Sequence, residues 1–562
     1  MKVSFTEWTK SGSPWVWLNA GAVAICVIMV VGLLSLIAVR GLGHFWPADI
    51  QQATYSLNGE KSRVIGEIVE SEQVPAEQLR DAGVIVPEGT LMMRRDLMKI
   101  GNRDVTGTDF TWVLDNNLSE RSNPEMLFTA ERREWGNFYG YLRALKEGDK
   151  LVGQYDGYEK TPEYVALWKG FEASIERALI IRKDIYQIEK HEIGSINYEL
   201  ERLRLKQRAL ELKEVSDPAP YAEIEARRKE LNTSYEGLQQ SLIDLYTEIN
   251  RDTIIAEVSG GQEIDIAVAK IVRAFRPNDM SVGAKLIHYA EKIKEFVSDD
   301  PREANTEGGI FPAIFGTVMM VVLMSILVTP FGVIAAVYLR EYAKQGFTTR
   351  LIRIAVNNLA GVPSIVYGVF GLGFFVYFLG GNIDRLFYPE ALPSPTFGTG
   401  GLVWASITLA LLTVPVVIVA TEEGLSRIPR AVREGSLALG ATKAETLWKV
   451  VLPMASPAMM TGVILAIARA AGEVAPLMLV GVVKLAPSLP LDANYPFLHL
   501  DQKFMHLGFH IYDVGFQSPN VEAARPLVYA TALLLVAVIA LLNISAVQIR
   551  NHLREKYKSL EM

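Results

Sequence analysis

A positive and a negative residue, Arg469 and Glu473, stand four residues apart in the otherwise apolar stretch 456–482. A charge at the centre of a membrane helix costs roughly 2.5–3.5 kcal/mol, so this pair should face protein or water. Arginine suits a tetrahedral oxyanion because its planar guanidinium donates two parallel hydrogen bonds and keeps its charge. Glu473 would hold Arg469 in place or accept a proton from the anion. The competing interpretation is a structural ion pair, for which Arg before Glu is the weaker order on a helix.

Six apolar stretches are long enough to cross a bilayer, whose hydrocarbon core needs about 20 helical residues. The stretch nearest the N-terminus is too long for a cleaved signal and has no small-residue cleavage site before Arg40, so we expect an uncleaved anchor. The sequence therefore predicts a mainly α-helical, polytopic membrane protein with six transmembrane helices. The six stretches are 15–39, 312–339, 354–380, 401–420, 456–482 and 526–547.

Lysine and arginine are unevenly distributed over the loops between these stretches. Loops 340–353 and 421–455 and the C-terminal tail are rich in them, whereas loops 381–400 and 482–525 hold few. Positive residues concentrate on the cytoplasmic side of membrane proteins, so both termini are predicted to be cytoplasmic. The predicted division is a cytoplasmic tail with the first helix (1–44), a periplasmic domain (45–309), a membrane domain (310–548) and a cytoplasmic tail (549–562).

The predicted periplasmic domain, 45–309, has no long apolar run. Residues 60–155 alternate apolar and polar side chains in short runs, which predicts strands. Residues 170–255 predict two long helices whose apolar residues stand four and three apart, a coiled-coil spacing with a five-residue step after Ile188. Two prolines after Asp217 separate the helices, so we expect an α+β domain with an antiparallel helical hairpin that protrudes well beyond the membrane. A structural stalk and a docking surface are the two interpretations.

Loop 421–455 carries the clearest local signals. Pro429 suits the first turn of a helix, and Gly440 suits the position just past its end. Thr442 and Glu445 stand three apart, the spacing of a capping box that opens a second helix. The sequence therefore predicts a helix, a glycine turn and a second helix between two membrane spans.

This loop resembles a pattern in the permeases of binding-protein-dependent ABC transporters. That pattern is E-A-A, three residues, G, nine residues and I-x-L-P, and here Gly and Ser replace the two alanines. The matching residues are Glu434-Gly435-Ser436, Gly440 and Val450-Val451-Leu452-Pro453. Segments 309–314, 359–368 and 469–476 resemble the phosphate-specific permeases of the PstA type more closely, and the resemblance covers about 305–548. It does not extend to the predicted periplasmic domain.

The resemblance implies the fold of a type I ABC importer permease that carries inorganic phosphate. It implies three kinds of partner besides the lipid bilayer: a dimer of ATP-binding subunits, a second related permease, and a periplasmic phosphate-binding protein. ATP and Mg would be bound by the ATPase, and no cofactor by this chain. The implied loop that docks into the ATPase contains Glu434, Gly440, Ala441, Leu452 and Pro453. The implied substrate pathway contains Arg469, Glu473 and Ser364.

Other functional classes find less support in the sequence. No G-x-x-x-x-G-K-[ST] motif is present, so the chain should not be its own ATPase. A net charge of −7 argues against nucleic-acid binding, and a single cysteine, Cys26, precludes an intramolecular disulfide. His499, His506 and His510 are interpreted as surface residues of a loop rather than a metal site. The open alternatives are a permease for another oxyanion such as sulfate, and a membrane-anchored sensor or scaffold.

Overall fold

The computed structural model describes residues 11–57, 60–81, 83, 86, 89–486, 488–518 and 521–557. The outer parts of both predicted tails, 1–10 and 558–562, lie outside the described residues.

Six helices in the described part of the chain are long and apolar enough to cross a membrane, which confirms the predicted number. Span 4 lies at the centre of the bundle and packs against spans 2 and 5. Span 6 packs against span 5 on one side and against span 1 on the other. The spans are Trp15–Gly43 (span 1), Phe311–Tyr342 (span 2), Ser364–Phe387 (span 3), Leu402–Arg427 (span 4), Lys443–Ala471 (span 5) and Ala524–Lys556 (span 6).

Small residues allow the central spans to approach closely. A Cβ atom on Gly332 of span 2 would lie 2.6 Å from the Cγ1 atom of Val417 in span 4. A Cβ atom on Gly462 of span 5 would lie 2.7 Å from the Cβ atom of Ala420 in span 4. Close packing of this kind takes the place of the hydrophobic effect, which does not drive helices together in lipid.

Five strands between Gln51 and Ser122 form an antiparallel sheet in the order β4-β3-β2-β1-β5. Its register places Gln51 opposite Gly66 and Leu97 opposite Trp112. Two short helices, α1 (Ala76–Asp81) and α2 (Arg103–Thr106), lie in its connections. The strands are β1 (Gln51–Leu57), β2 (Glu60–Pro75), β3 (Met92–Lys99), β4 (Phe110–Leu114) and β5 (Leu118–Ser122).

A second antiparallel sheet has the order β10-β9-β7-β6-β11, with β8 paired to β7. Its strands come from two parts of the chain, on either side of a long helical segment. A short pair, β12 (Pro301–Arg302) and β13 (Glu307–Gly308), precedes span 2. The strands of the second sheet are β6 (Phe128–Arg132), β7 (Phe138–Glu147), β8 (Lys150–Gln154), β9 (Asp252–Glu257), β10 (Glu263–Ala267) and β11 (Ile271–Phe275).

The helical segment between β8 and β9 consists of α3 (Pro162–Tyr186), α4 (Gly194–Leu212) and α5 (Ala219–Ile249). A π-helical stretch, Gln187–Ile193, continues α3 into α4. Helices α4 and α5 contact each other, with ion pairs from Arg227 to Glu199 and from Lys206 to Glu223. The residue numbers rise on one helix as they fall on the other, so α4 and α5 run antiparallel. We call α4 and α5 with their connection the hairpin.

A buried carboxylate links the two sheets. Glu257 of β9 accepts hydrogen bonds from Arg63 of β2, from the Nε atom of Arg143 of β7 at 2.7 Å, and from the Tyr158 hydroxyl at 3.1 Å. Burial opposes ionisation of Glu257, but the hydrogen bonds from Arg63 and Arg143 lower its pKa overall. Glu257 is therefore a charged side chain whose acceptor capacity is filled by the protein itself.

The base of this domain is fixed to the membrane helices. Helix α6 (Val282–Ser298) places Phe296 in an apolar cluster with Phe45, which follows span 1, and with Ile310, which precedes span 2. Leu527 of span 6 belongs to the same cluster. We call this group the junction cluster.

Part of the hairpin contacts the loops of the membrane domain. Helix α4 contacts the turn Pro389–Ala391 between spans 3 and 4. The hydroxyl of Tyr198 on α4 donates a hydrogen bond to the carbonyl oxygen of Tyr495, between spans 5 and 6. These contacts hold part of the hairpin against the loops of the membrane domain.

The apolar stretch predicted to cross the membrane at 354–380 is divided in the structure. Its first part belongs to an amphipathic helix, α7 (Phe347–Leu359), and span 3 begins only after Pro363. Proline has no backbone N–H and disfavours helical geometry in the residue before it. The start of this span is therefore corrected from residue 354 to Ser364.

Candidate functional site

Span 5 ends earlier than the sequence predicted. The helix stops at Ala471, Gly472 is its C-cap, and a separate short helix, α9 (Ala475–Val480), follows. Glycine is a weak helix former, and Pro476 in the first turn of α9 cannot donate a backbone hydrogen bond. The prediction of one continuous helix over 456–482 is corrected to a helix, a three-residue break and a second helix. We call residues 472–474 the break.

Arg469 and Glu473 lie on the two sides of the helix end. Arg469 is in the last turn of span 5, where a positive charge interacts favourably with the free carbonyl groups of the helix. Glu473 lies in the break. The Nε atom of Arg469 is 3.6 Å from the Oε1 atom of Glu473, and the two side chains are 33% and 20% exposed. The pair is therefore in contact, yet the guanidinium keeps donors that are open to another acceptor.

Ser364 is the first residue of span 3, directly after Pro363. Four residues later, a Cβ atom on Gly368 would lie 2.6 Å from the Cα atom of Pro476. Span 3 and α9 therefore pack tightly against each other close to where each helix begins. Tyr367 of span 3 donates a hydrogen bond to the carbonyl oxygen of Leu359 at 2.7 Å and is close enough to Arg469 to interact electrostatically.

The region thus combines a positive side chain with the start of a membrane helix. The first backbone N–H groups of a helix are unpaired within the helix and favour negative charge nearby. The structure brings Arg469 and Glu473 into contact and puts Ser364 one helical turn from the packing contact with α9. Such an arrangement can accept an anion in a region that is otherwise apolar.

The loop between spans 4 and 5 has the predicted helix, turn and helix. Helix α8 (Arg430–Ala438) is followed by Gly440 with a φ angle of +89°. The N–H of Gly440 donates to the carbonyl of Leu437 at 3.0 Å, and that of Ala441 to Ser436 at 3.3 Å. These two hydrogen bonds form a Schellman motif, in which glycine is favoured because its φ angle is positive. Pro429 precedes α8 as its N-cap, one position before the predicted one.

The predicted capping box at the start of span 5 is confirmed. The N–H of Glu445 donates to the Thr442 hydroxyl at 3.2 Å, and the N–H of Thr442 donates to the Glu445 carboxylate at 3.0 Å. The Ser436 hydroxyl lies 2.9 Å from the Thr446 hydroxyl, which ties α8 to the next helix. Serine at 436, where the family pattern has alanine, therefore has a structural use.

The loop is tied to the end of span 2. Arg433 donates to the Glu341 carboxylate at 2.9 Å, and Lys443 donates to the Glu341 carbonyl at 2.6 Å. Beneath them, Leu425, Leu447 and other apolar side chains form a small cluster. A force on the loop would therefore act on spans 2, 4 and 5 together.

Two exposed apolar residues of this loop were missed by the sequence analysis. Leu439, beside the turn, is 91% exposed, and Trp448 is 74% exposed. Large apolar side chains standing free beside a rigid turn are typical of protein interaction sites. The sequence did contain a signal for this site, because Leu439 interrupts the polar surface directly before Gly440. Of the predicted loop residues, Glu434 is exposed, Ala441 lies in the turn, and Leu452-Pro453 begin the regular α-helical part of span 5.

The three histidines of the last loop are buried, so their interpretation as surface residues was wrong. His499 pairs with Asp492 at 2.9 Å, and His506 accepts a hydrogen bond from the backbone N–H of Gly508 at 3.1 Å as it caps the short helix α10 (Leu507–Tyr512). Burial lowers the pKa of His506 and of His510 to about 4. In the described part of the chain, no group of His, Cys, Asp and Glu side chains could hold a metal ion.

Six spans, a charged break and an exposed helix–turn–helix loop are features of a transport permease. Residues 328–558 match the family described as binding-protein-dependent transport system inner membrane component. Phosphate transport system permease protein PstA 1 of Mycobacterium tuberculosis (strain CDC 1551 / Oshkosh) is 34% identical over 251 residues, which cover 43% of this chain and 71% of that protein. The chain belongs to this family of inner membrane components, as the loop pattern predicted.

Of two further similarities, one covers a smaller share of the matched protein and the other has a lower sequence identity. The probable ABC transporter permease protein YqgH of Bacillus subtilis is 31% identical over 195 residues, and these cover 34% of this chain and 59% of that protein. A solved structure, an inward-facing conformation of the MetNI methionine ABC transporter, is 18% identical with a TM-score of 0.30 and covers 43% of this chain and 94% of that one.

Proposed function

We propose that the chain is the transmembrane permease subunit of an ATP-binding-cassette importer that moves inorganic phosphate from the periplasm into the cytoplasm. The loop between spans 4 and 5 carries this proposal. It is a rigid turn with an exposed Leu439, tied to span 2 through Glu341, and is therefore built to bind a partner and to pass on its movement. The name of the PstA 1 relative supports phosphate as the substrate.

In this proposal Arg469 binds the anion at the break. The guanidinium is partly exposed and contacts Glu473 at 3.6 Å, so donors remain for phosphate oxygens. Ser364 at the start of span 3 contributes a hydroxyl at the helix end that favours negative charge. Glu473 positions Arg469 or accepts the proton of a hydrogen phosphate.

The partners of this proposal are a dimer of ATP-binding subunits, a second related permease and a periplasmic phosphate-binding protein. The contact with the ATPase consists of Glu434, Gly440 and Ala441 in the loop and Leu452-Pro453 at its end, with Leu439 and Trp448 added from the structure. ATP and Mg are bound by the ATPase, which performs the hydrolysis, and this chain binds no cofactor.

For the topology, we propose that both termini are cytoplasmic and that 45–309 forms a periplasmic α+β domain containing the antiparallel helical hairpin. Contacts on the two faces support this arrangement. The loop after span 4 contacts the end of span 2, whereas α4 contacts the loops after spans 3 and 5. Alkaline-phosphatase fusions at residue 200 should be active and fusions at residue 560 inactive. The reverse pattern would contradict the topology.

The function is tested by uptake in cells whose own high-affinity phosphate importer has been deleted. Expression of this chain with its ATPase, its related permease and its binding protein should restore uptake of radiolabelled phosphate and leave uptake of radiolabelled sulfate unchanged. Restored uptake of sulfate would instead show that the chain carries the alternative oxyanion. Absence of uptake of either anion by a correctly assembled complex would favour the sensor or scaffold alternative.

A further inference from the structure

The hairpin joins two loops of the membrane domain that belong to different pairs of spans. Helix α4 contacts the turn Pro389–Ala391, which connects spans 3 and 4. Tyr198 of α4 donates a hydrogen bond to the backbone carbonyl of Tyr495, which lies between spans 5 and 6. The guanidinium carbon of Arg202 lies 5.5 Å from the centre of the Tyr495 ring, a cation–π contact.

The loop that receives the hairpin is ordered by its own hydrogen bonds. The N–H of His499 donates to the carbonyl of Pro490 at 2.8 Å, and that of Asp492 to Phe497 at 3.1 Å. His499 also pairs with the Asp492 carboxylate, and its ring lies 6.0 Å from the ring of Tyr198 in a T-shaped contact. Tyr495 is therefore presented to the hairpin by a rigid loop.

This loop is connected by backbone hydrogen bonds to the start of span 4. Leu402 and Val403 donate to the carbonyls of Gln502 and Leu500, each at 2.9 Å. Gly401 donates at 2.9 Å to Val480, the last residue of α9, which follows the break. A displacement of the loop would therefore move span 4 and the short helix that follows the break.

The two attachments of the domain differ in kind. Its base is held by the junction cluster, in which apolar side chains such as Phe296 and Ile310 are buried together. At the hairpin end, the contacts with Tyr495 are one hydrogen bond and one cation–π contact, and Tyr495 remains 63% exposed. Burial of apolar surface stabilises the first attachment far more than exposed polar contacts stabilise the second. The base is therefore the stronger attachment, and the contact with Tyr495 is the weaker one.

A change in helical hydrogen bonding lies between the two attachments. The π-helical stretch Gln187–Ile193 lies between α3, whose Ile185 is buried in the core of the domain, and α4, which contacts the loops. Single π-helical turns within α-helices are associated with bending and with functional sites. Bending at this stretch would move α4 relative to α3, together with the part of α5 that packs against α4 and lies away from the core residue Ile249.

From this geometry we propose that the hairpin is a releasable clamp on the outer mouth of the permease. It joins the loop between spans 3 and 4 to the loop between spans 5 and 6, and each transport cycle requires its release from Tyr495. This inference rests on the proposed function, because it assigns the hairpin a gating role in that transport. It replaces a passive stalk with an element that controls access to the break.

The clamp is tested by reversible crosslinking of the complete importer in membranes. Cys26 is the only cysteine of this chain, so Cys26→Ala removes the chain's own background reaction. Tyr198→Cys with Tyr495→Cys is joined by a short, reducible bis-methanethiosulfonate. The matched control is Glu199→Cys with Arg227→Cys, which joins α4 to α5 within the hairpin and leaves the loops free.

The crosslinked Tyr198–Tyr495 pair should lose phosphate uptake by at least about tenfold, since a conformational step would be blocked, and reduction should restore it. The crosslinked control should transport like the untreated protein. Full uptake with the Tyr198–Tyr495 crosslink in place would overturn the proposal. Arg202→Cys with Tyr495→Cys is a second pair, to be used if the first reduces assembly.

A second measurement separates the clamp from the identity of the substrate. Crosslinking yield is compared between the resting importer and the importer trapped with ATP and vanadate. The yield of the Tyr198–Tyr495 pair should fall on trapping and that of the control pair should not, and equal yields in both states would overturn the clamp. An untreated wild-type importer that carries no phosphate would refute the proposed function, while the crosslinking yields would still decide on the clamp.

Discussion

Two arginine–glutamate contacts, one in each region of the molecule, have different surroundings. In the domain between spans 1 and 2, the side chains of Glu257 and Arg143 are 8% and 5% exposed, and Glu257 also accepts hydrogen bonds from Arg63 and Tyr158. In the membrane domain, Arg469 and Glu473 are 33% and 20% exposed and are 3.6 Å apart. At the first contact, the protein itself supplies the hydrogen bonds that Glu257 accepts. At the second, the guanidinium of Arg469 keeps donors for another acceptor.

The difference separates structural charges from functional ones. A buried pair whose hydrogen bonds are all made can only hold elements together, and removing one partner leaves an uncompensated buried charge. A charged pair in an otherwise apolar membrane stretch, with donors left unused, indicates a functional site. We therefore expect substitutions at the first contact to affect stability and substitutions at the second to affect transport.

The largest expected effect is that of Arg469→Gln. Two charge-assisted hydrogen bonds of about 1.5–3 kcal/mol each would be lost, so phosphate uptake should fall by about three orders of magnitude. Arg469→Lys should recover little, because the planar fork is missing. The assay is uptake of radiolabelled phosphate, normalised to the amount of chain that copurifies with the ATPase. The control is Arg385→Gln, a change of the same kind at an exposed position. Near wild-type uptake by the Arg469→Gln variant would show that the contact between Arg469 and Glu473 has only a structural role.

The opposite pattern is expected for Glu257→Gln. The domain should lose about 3 kcal/mol of unfolding free energy, at the lower end of the range for breaking a buried pair, while uptake per folded molecule stays near that of the wild type. Limited proteolysis across a urea series measures this loss in the intact chain. The matched control is Asp265→Asn, which removes a carboxylate whose contact with Lys146 is exposed and should therefore change the stability little.

The same contact predicts a pH dependence. The pKa of Glu257 is held below its ordinary value of 4.5 in the folded protein. Its contribution to stability is therefore complete above that value and is lost as the pH falls through the lower, folded-state pKa. Glu257→Gln should remove this part of the acid sensitivity. An unchanged acid profile in the variant would show that Glu257 is not the group responsible.

Prediction from sequence succeeded best where the signal was local. The number of spans, the turn at Gly440 and the capping box at Thr442 each depend on a few neighbouring residues, and each was found. The break after Ala471 was not predicted, because the apolar composition continues through it while Gly472 and Pro476 end the helix.

Contacts between residues far apart in the sequence, and unusual helical geometry, could not be predicted from the sequence. Arg63 and Glu257 are 194 residues apart, and no local pattern indicates that they meet. The five-residue step after Ile188 was visible in the apolar spacing, and the structure places the π-helical stretch Gln187–Ile193 at that point. A π-helical turn accommodates an additional residue, which explains the step. The contact of the hairpin with Tyr495 was likewise hidden, since it depends on how the whole domain folds.

The smallest effect is expected at the turn of the loop between spans 4 and 5. A valine at position 440 would have to adopt a φ angle near +89°, which costs about 1–2 kcal/mol for a residue with a side chain. Among the described residues, no atom lies within 4 Å of a Cβ placed there, so the strain is confined to the backbone. Gly440→Val should insert normally and lower coupled ATP hydrolysis and uptake by about tenfold, as that energy implies.

Gly346→Val is the matched control, because Gly346 has an extended backbone that any residue can adopt and precedes α7 at the end of another loop. Equal activity of both valine variants would show that the left-handed turn at Gly440 is not needed for coupling.

In the proposed function, this chain forms the substrate path of a phosphate importer, and Arg469 lies on that path. Its most direct test is ATP-driven uptake of radiolabelled phosphate into proteoliposomes that contain this chain, its related permease, the ATPase and the binding protein. We expect uptake that requires ATP, resists excess sulfate and is lost in Arg469→Gln but retained in Arg385→Gln. Uptake that continues undiminished in the Arg469→Gln importer, or an assembled wild-type importer that carries sulfate and no phosphate, would contradict the account.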